Sequence, residues 1–140
     1  MATIFANGCF DLLHDGHKRF LLAARRIGCG KGENRLVVAV NSDRYARQLK
    51  KARWGENYPI DCEQKRVERL LHYADETWSF DSEAGLYSLI KASVPCILVK
   101  GPDYAGRESE VTGSDIAPVL ILDCPETEEI REFKRKAYML

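Results

Sequence analysis

The sequence predicts an α/β fold, a single doubly wound sheet of five parallel strands, from three features of its 140 residues. Strand-like runs at about 3–7, 36–41, 77–80, 96–100 and 118–122 alternate mostly with helical patterns. Such alternation builds a parallel sheet with helices on both faces. The helical stretches carry apolar residues on one side only, as helices laid on a sheet must. Third, the residues able to do chemistry fall just after strands, where a sheet of this kind opens its ligand crevice.

Taken in order, Thr3, Ile4 and Phe5 form the first strand, which runs into the turn Gly8-Cys9-Phe10-Asp11-Leu12-Leu13-His14-Asp15-Gly16-His17. The first helix follows, with Phe20, Leu21, Ala24 and Ile27 as its apolar stripe and Lys18, Arg19, Arg25 and Arg26 beside it. Gly28 and Gly30 end it. After the second strand, Arg47 through Arg53 reads as a basic loop that carries Lys50 and Lys51, with Trp54 as a lid or as a contact for a partner subunit. A helix starts near Asp61, where Asp61 and Gln64 make a capping-box pattern, and Val67, Leu70, Leu71 and Ala74 are its inward side. Ser82 caps a further helix with Leu86, Leu89 and Ile90 inward. No repeat, low-complexity tract or linker interrupts the chain, so residues 1–140 are read as one domain.

Composition narrows the partners. Lys plus Arg and Asp plus Glu number 21 each, giving zero net charge, which argues against a nucleic-acid binder with its basic face. No apolar run approaches about 18 residues and the N-terminus lacks a basic-then-apolar leader, so no membrane role is expected and the cytoplasm is the expected compartment. The five cysteines, at 9, 29, 62, 96 and 124, form no C-x-x-C pair, and free thiols suit a reducing compartment.

Two of the three histidines, His14 and His17, stand three residues apart at the strand-to-helix turn, with Gly16 between them. Residues so spaced at a helix start share a face, and the first-turn amides attract an anion. Imidazole donors plus free backbone N–H groups suit a polyphosphate, and Gly16 lets the backbone approach it closely. A metal half-site, or solvated first-turn residues, fits the same spacing, but a zinc site needs further ligands that no spacing here supplies. Arg66 opens a helix, where a cation is unfavourable against the dipole unless an anion is near, which points to a phosphate partner. The remaining histidine, His72, lies in a helical pattern between Leu71 and Tyr73 and reads as structural.

The segment Gly8 to His17 resembles the H-x-G-H signature of the cytidylyltransferase-like nucleotidyltransferases. It is similar in particular to the glycerol-3-phosphate cytidylyltransferase and heptose 1-phosphate adenylyltransferase branches. Val38-Ala39-Val40-Asn41-Ser42-Asp43 resembles the end of the second strand in the heptose branch, and Arg66 falls where the family has an arginine. Leu98-Val99-Lys100-Gly101-Pro102-Asp103-Tyr104 is similar to its fourth-strand exit, normally of Lys-Gly-Gly-Asp-Tyr type. The resemblance implies a Rossmann-like nucleotidyltransferase fold. It also implies transfer of a nucleotidyl group from CTP or ATP to a small phosphorylated alcohol or sugar, with release of pyrophosphate. Under it His14, His17, Lys50 and Arg66 are the catalytic set. Gly8, Cys9, Phe10, Asp11, Gly16, Lys100, Gly101, Asp103, Tyr104 and Thr127 line the nucleotide. It further implies a homodimer and Mg²⁺ held mainly by the nucleotide phosphates, with no protein residue assigned as a metal ligand.

The match departs at the C-terminal end. Where the family has a Ser-Thr-Thr type motif opening its last helix, this chain has Cys124-Pro125-Glu126-Thr127-Glu128-Glu129-Ile130, and only Thr127 keeps a hydroxyl. Glu126, Glu128 and Glu129 suit a helix start but repel a nearby triphosphate. The stretch Glu108 to Ala117 is short and lacks a helix of the heptose branch. A catalytically impaired nucleotide-binding regulatory or assembly protein on the same fold is therefore the alternative.

Overall fold

The strand-like runs become five parallel strands of one sheet in the computed structural model, which describes residues 2–10, 13, 15–27, 34–54 and 61–122. β1 (Thr3–Gly8) is central, between β2 (Arg35–Asn41) and β4 (Ile97–Lys100), with β3 (Glu76–Phe80) and β5 (Val119–Ile121) at the edges. Phe5 sits opposite Val37 on one neighbour and Leu98 on the other, which sets the register.

Side chains alternate across the sheet with period two, and each face is apolar. Ile4, Ala6, Val38, Val40 and Val99 face α1 (Asp15–Arg25) and α3 (Glu63–Leu70), meeting Leu21, Ala24 and Leu70. Phe5, Val37, Ala39 and Leu98 face the other way, onto Leu86 and Ile90 of α4 (Glu83–Ser93) and Tyr45 of α2 (Asp43–Trp54). Buried Leu, Ile and Phe side chains contribute about 1.5–3 kcal/mol each, so this double-sided core is what holds the strand ends in place. Ser82 caps α4 as expected, accepting from Gly85 N–H at 3.0 Å.

Four local expectations are corrected. The basic stretch after β2 is a helix, α2, with Ser42 Oγ accepting from Tyr45 N–H at 3.2 Å to start it. Its charged composition hid it, yet residues 43–54 contain no glycine or proline and follow a good N-cap residue. The Asp61–Gln64 box does not form. Cys62 is the N-cap without a side-chain bond, Asp61 pairs with Arg69, and the Glu63 N–H donates to Asp43 Oδ1 at 2.8 Å. A carboxylate from another helix thus performs the capping. Leu71 is exposed, because α3 ends at Leu70 and the chain turns there. Finally, α1 ends at Arg25, so Ile27 packs from beyond the helix; Gly28 and Gly30 lie outside the described residues. Between β4 and β5 the chain has short 3₁₀ turns at Pro102–Tyr104 and Glu108–Glu110.

Candidate active site

The strand order reverses direction between β1 and β4, and their C-terminal ends define the crevice expected to hold a ligand. Lys100, the last residue of β4, spans it: its Nζ donates to Asn7 Oδ1 on β1 at 3.0 Å. Burial pushes the Lys100 ammonium below the ordinary lysine value, while the carboxylates of Glu83 and Asp103 pull it back up. A partly desolvated cation at this point has much to gain from an anion. Beyond it, the Tyr104 ring lies 5.2 Å from Lys100 Nζ and 5.2 Å from the Arg107 guanidinium carbon. Tyr104 therefore meets two cations, and Arg107 joins the site without having been singled out in the sequence. Gly101 precedes this turn, and a Cβ there would stand 3.2 Å from Asp103 Oδ1, so the bare backbone lets that carboxylate fold over it.

On the other side of the crevice the chain leaves β1 through Gly8, Cys9 and Phe10. Phe10 has φ of +50°, a left-handed conformation that costs a bulky residue about 1–3 kcal/mol. Its ring is buried in the core and lies edge-on to the His17 ring, with centroids 5.2 Å apart and planes at 68°. Gly8 makes room for it, since a Cβ there would meet the ring at 3.1 Å. The strained residue, the glycine and the histidine thus form one packed unit, in which Phe10 orients the His17 imidazole at the start of α1. Gly16 lies in the same first turn, partly exposed.

Arg66 has an environment the sequence did not reveal. It is fully buried, and its guanidinium donates to the Asp61 carbonyl (3.0 Å), the Cys9 carbonyl (3.0 Å) and Asp43 Oδ1 (3.2 Å). The anion that a cation near a helix start requires is supplied within the described structure by Asp43 at the head of α2. Arg66 thereby links α2, the lead-in to α3 and the turn after β1. Asp43, which no motif had picked out as a site residue, is its partner.

Lys50 and Lys51 stand on α2, the first half-buried and the second exposed. Lys50 is seven residues past Asp43, roughly 10 Å along the helix axis, rather than in a loop. Asp11, His14, Thr127 and the acids Glu126, Glu128 and Glu129 lie outside the described residues. Among the described residues no group of three or more His, Cys, Asp or Glu could hold a metal ion. The cations at the crevice, Lys100 and Arg107, suit phosphate oxygens, whereas Mg²⁺ requires oxygen ligands. Those cations do not fit a protein-held magnesium site.

The profile of the cytidylyltransferase-like family matches residues 5–110, which include both sides of the crevice. The chain belongs to that family. Family membership makes it a nucleotidyltransferase, in keeping with the resemblance carried by the turn after β1. Its relatives include the bifunctional protein HldE of Campylobacter fetus, 41% identical over 123 residues, covering 86% of this chain and 24% of that protein. HldE of Koribacter versatilis is 47% identical over 104 residues, covering 73% and 19%. The chain thus spans about a fifth to a quarter of the length of these relatives. Among solved structures, the pantothenate synthetase of Thermus thermophilus superposes with a TM-score of 0.57 at 16% identity, covering 92% of this chain and 58% of that one. That likeness concerns the fold, a Rossmann-like nucleotidyltransferase architecture. No helix among the described residues is long and apolar enough to cross a membrane.

Proposed function

We propose that the chain transfers an adenylyl group from ATP to a sugar 1-phosphate of the heptose type, releasing pyrophosphate. The reading is carried by the C-terminal ends of β1 and β4, where a desolvated Lys100 bonds to Asn7 of β1 and β1 runs into the turn that leads to His17. Two features support ATP and a heptose phosphate over CTP and glycerol 3-phosphate. One is the likeness of Asn41-Ser42-Asp43 and Lys100–Tyr104 to the heptose branch; the other is the identity of 41% and 47% to HldE proteins.

In this reaction a phosphate oxygen of the acceptor bonds to the α-phosphorus and the α–β anhydride bond breaks, with the electron pair leaving on pyrophosphate. The nucleophile is already anionic, so positioning and charge stabilisation do the work. His14 and His17 donate to the phosphates as negative charge builds, and Lys100 neutralises charge from the opposite wall. Arg66 acts through the Cys9 carbonyl by fixing the turn that presents His17. Lys50 adds positive charge from α2. Magnesium travels with the nucleotide phosphates. The family resemblance also supports a homodimer, which light scattering of the purified chain tests.

Pyrophosphate release decides the activity. The full chain with Mg²⁺ is offered ATP or CTP, each with heptose 1-phosphate or glycerol 3-phosphate. Turnover with ATP and heptose 1-phosphate, exceeding every other pairing, is the expected result. Nucleotide binding without turnover in any pairing supports the impaired binding protein instead.

Lys100 gives this reading a pH signature. Its lowered value means the ammonium loses its proton at a lower pH than an ordinary lysine, and a bound phosphate favours the protonated form. ATP affinity should therefore fall as pH rises into the alkaline range, with proton uptake on binding. The stability sign is opposite. Between the lowered folded value and the ordinary unfolded one, the unfolded chain holds more protons, so folding strengthens as pH rises. Calorimetric titration of ATP at several pH values checks the first effect, and Lys100→Met should flatten it.

A further inference from the structure

Asn41, the last residue of β2, is 4% exposed, and its Oδ1 has no hydrogen-bond partner among the described residues. Buried carboxamide oxygens in folded proteins are almost always paired, and an orphan is costly enough to need a reason. Its position supplies one. By strand alternation Asn41 lies on the same sheet face as Val37 and Ala39, which is also the face of Phe5 and Leu98. Asn7 and Lys100 are two residues further along from Phe5 and Leu98, so all three polar side chains belong to one face at the C-terminal edge of the sheet. The same edge holds Tyr45, whose phenol donates to Glu83 Oε1 at 3.0 Å, and Thr112, which donates to the other oxygen of Glu83. Tyr45 and Thr112 are thus both paired with Glu83.

We propose that Asn41 is a specificity residue that takes a hydroxyl group of the acceptor, on the β2 side of the crevice. The inference rests on the reading that the chain transfers a nucleotidyl group to a polyhydroxylated phosphate. The switch point assigns the nucleotide to the gap between β1 and β4, which leaves the ground in front of β2 for the second substrate. The chemistry selects a hydroxyl over a phosphate. A carboxamide offers one acceptor end and one donor end, and a hydroxyl both donates and accepts, so it satisfies whichever end faces it. An ionised phosphate only accepts and would leave Oδ1 as it is. Because the side chain is buried, the occupant has to be small at that point, and a single hydroxyl on a sugar carbon meets the requirement.

Asn41→Leu keeps the side-chain shape and removes both polar ends. In steady-state assays with ATP and heptose 1-phosphate, the variant should raise the acceptor KM by about 10-fold, the scale of one lost hydrogen bond, with the ATP KM within about twofold of wild type. Its melting temperature should hold or rise, since an orphan oxygen leaves the core. An unchanged acceptor KM overturns the proposal, as does an ATP KM raised by the same factor, which would put a ribose hydroxyl there. A melting temperature several degrees lower also overturns it, because the amide would then be satisfied within the fold, by a trapped water for example. If wild type turns over neither heptose 1-phosphate nor glycerol 3-phosphate with either nucleotide, the proposed function has failed. The same titrations read as binding constants, with the melting comparison, still judge Asn41.

Discussion

His17→Ala is expected to lower kcat by about 10²-fold or more while the chain stays folded, because removing a preorganised donor to developing charge typically costs that much. The ring sits at the start of α1, beside the crevice, oriented by its edge contact with Phe10. Loss of the imidazole leaves a gap beside Phe10, so a small fall in melting temperature accompanies the kinetic effect. His14→Ala is expected to behave alike on the strength of the H-x-G-H resemblance. Single-turnover rates with saturating ATP and acceptor, together with circular dichroism, separate chemistry from folding. Near-wild-type rates in both variants under those conditions would remove the histidines from the mechanism.

Arg66→Ala should be the most destabilising single change near the site. It leaves the Cys9 and Asp61 carbonyls and the Asp43 carboxylate without their donor. Breaking a buried pair costs about 3–5 kcal/mol, and the low end applies because the Asp43 side chain is 37% exposed and regains water. For a domain of this size that corresponds to a fall in melting temperature on the order of 10 °C. Asp43→Asn should cost less, since the amide oxygen still accepts from the Glu63 N–H. Arg66→Lys retains the charge but cannot reach three acceptors at once, so it should recover only part of the stability. Below the melting transition, Arg66→Lys is expected to lower kcat through a loosened turn after β1. Were the guanidinium instead a direct phosphate ligand, the lysine variant would melt near wild type and show its defect in the ATP KM.

The comparison of Arg66 with Ser82 shows where a sequence stops being readable. Ser82 caps a helix three residues ahead of its own partner, a local interaction whose signal lies within one turn of chain. Arg66 answers to Asp43, 23 residues away, and to Cys9, 57 residues away, and nothing in its own neighbourhood names them. A cation near a helix start needs an anion, but which anion meets it is fixed only by the tertiary fold. α2 shows the opposite failure. Its start signal at Ser42 was present, but the charged residues from Arg47 to Arg53 masked a helix whose apolar contacts are few.

What the sequence determined by itself is the sheet and the place of the chemistry. Short strand-like apolar runs and one-sided helices leave little choice but alternating strands and helices, and glycine and histidine after β1 mark the crevice by local stereochemistry. What only the tertiary structure decided is which side chains share that crevice. The Lys100–Asn7 bond, the Asp43–Arg66–Cys9 link and the orphan oxygen of Asn41 all depend on strand order and register. Strand order is set by how the whole double-sided core packs, so partners 23 to 93 residues apart in the chain meet only once that core has formed.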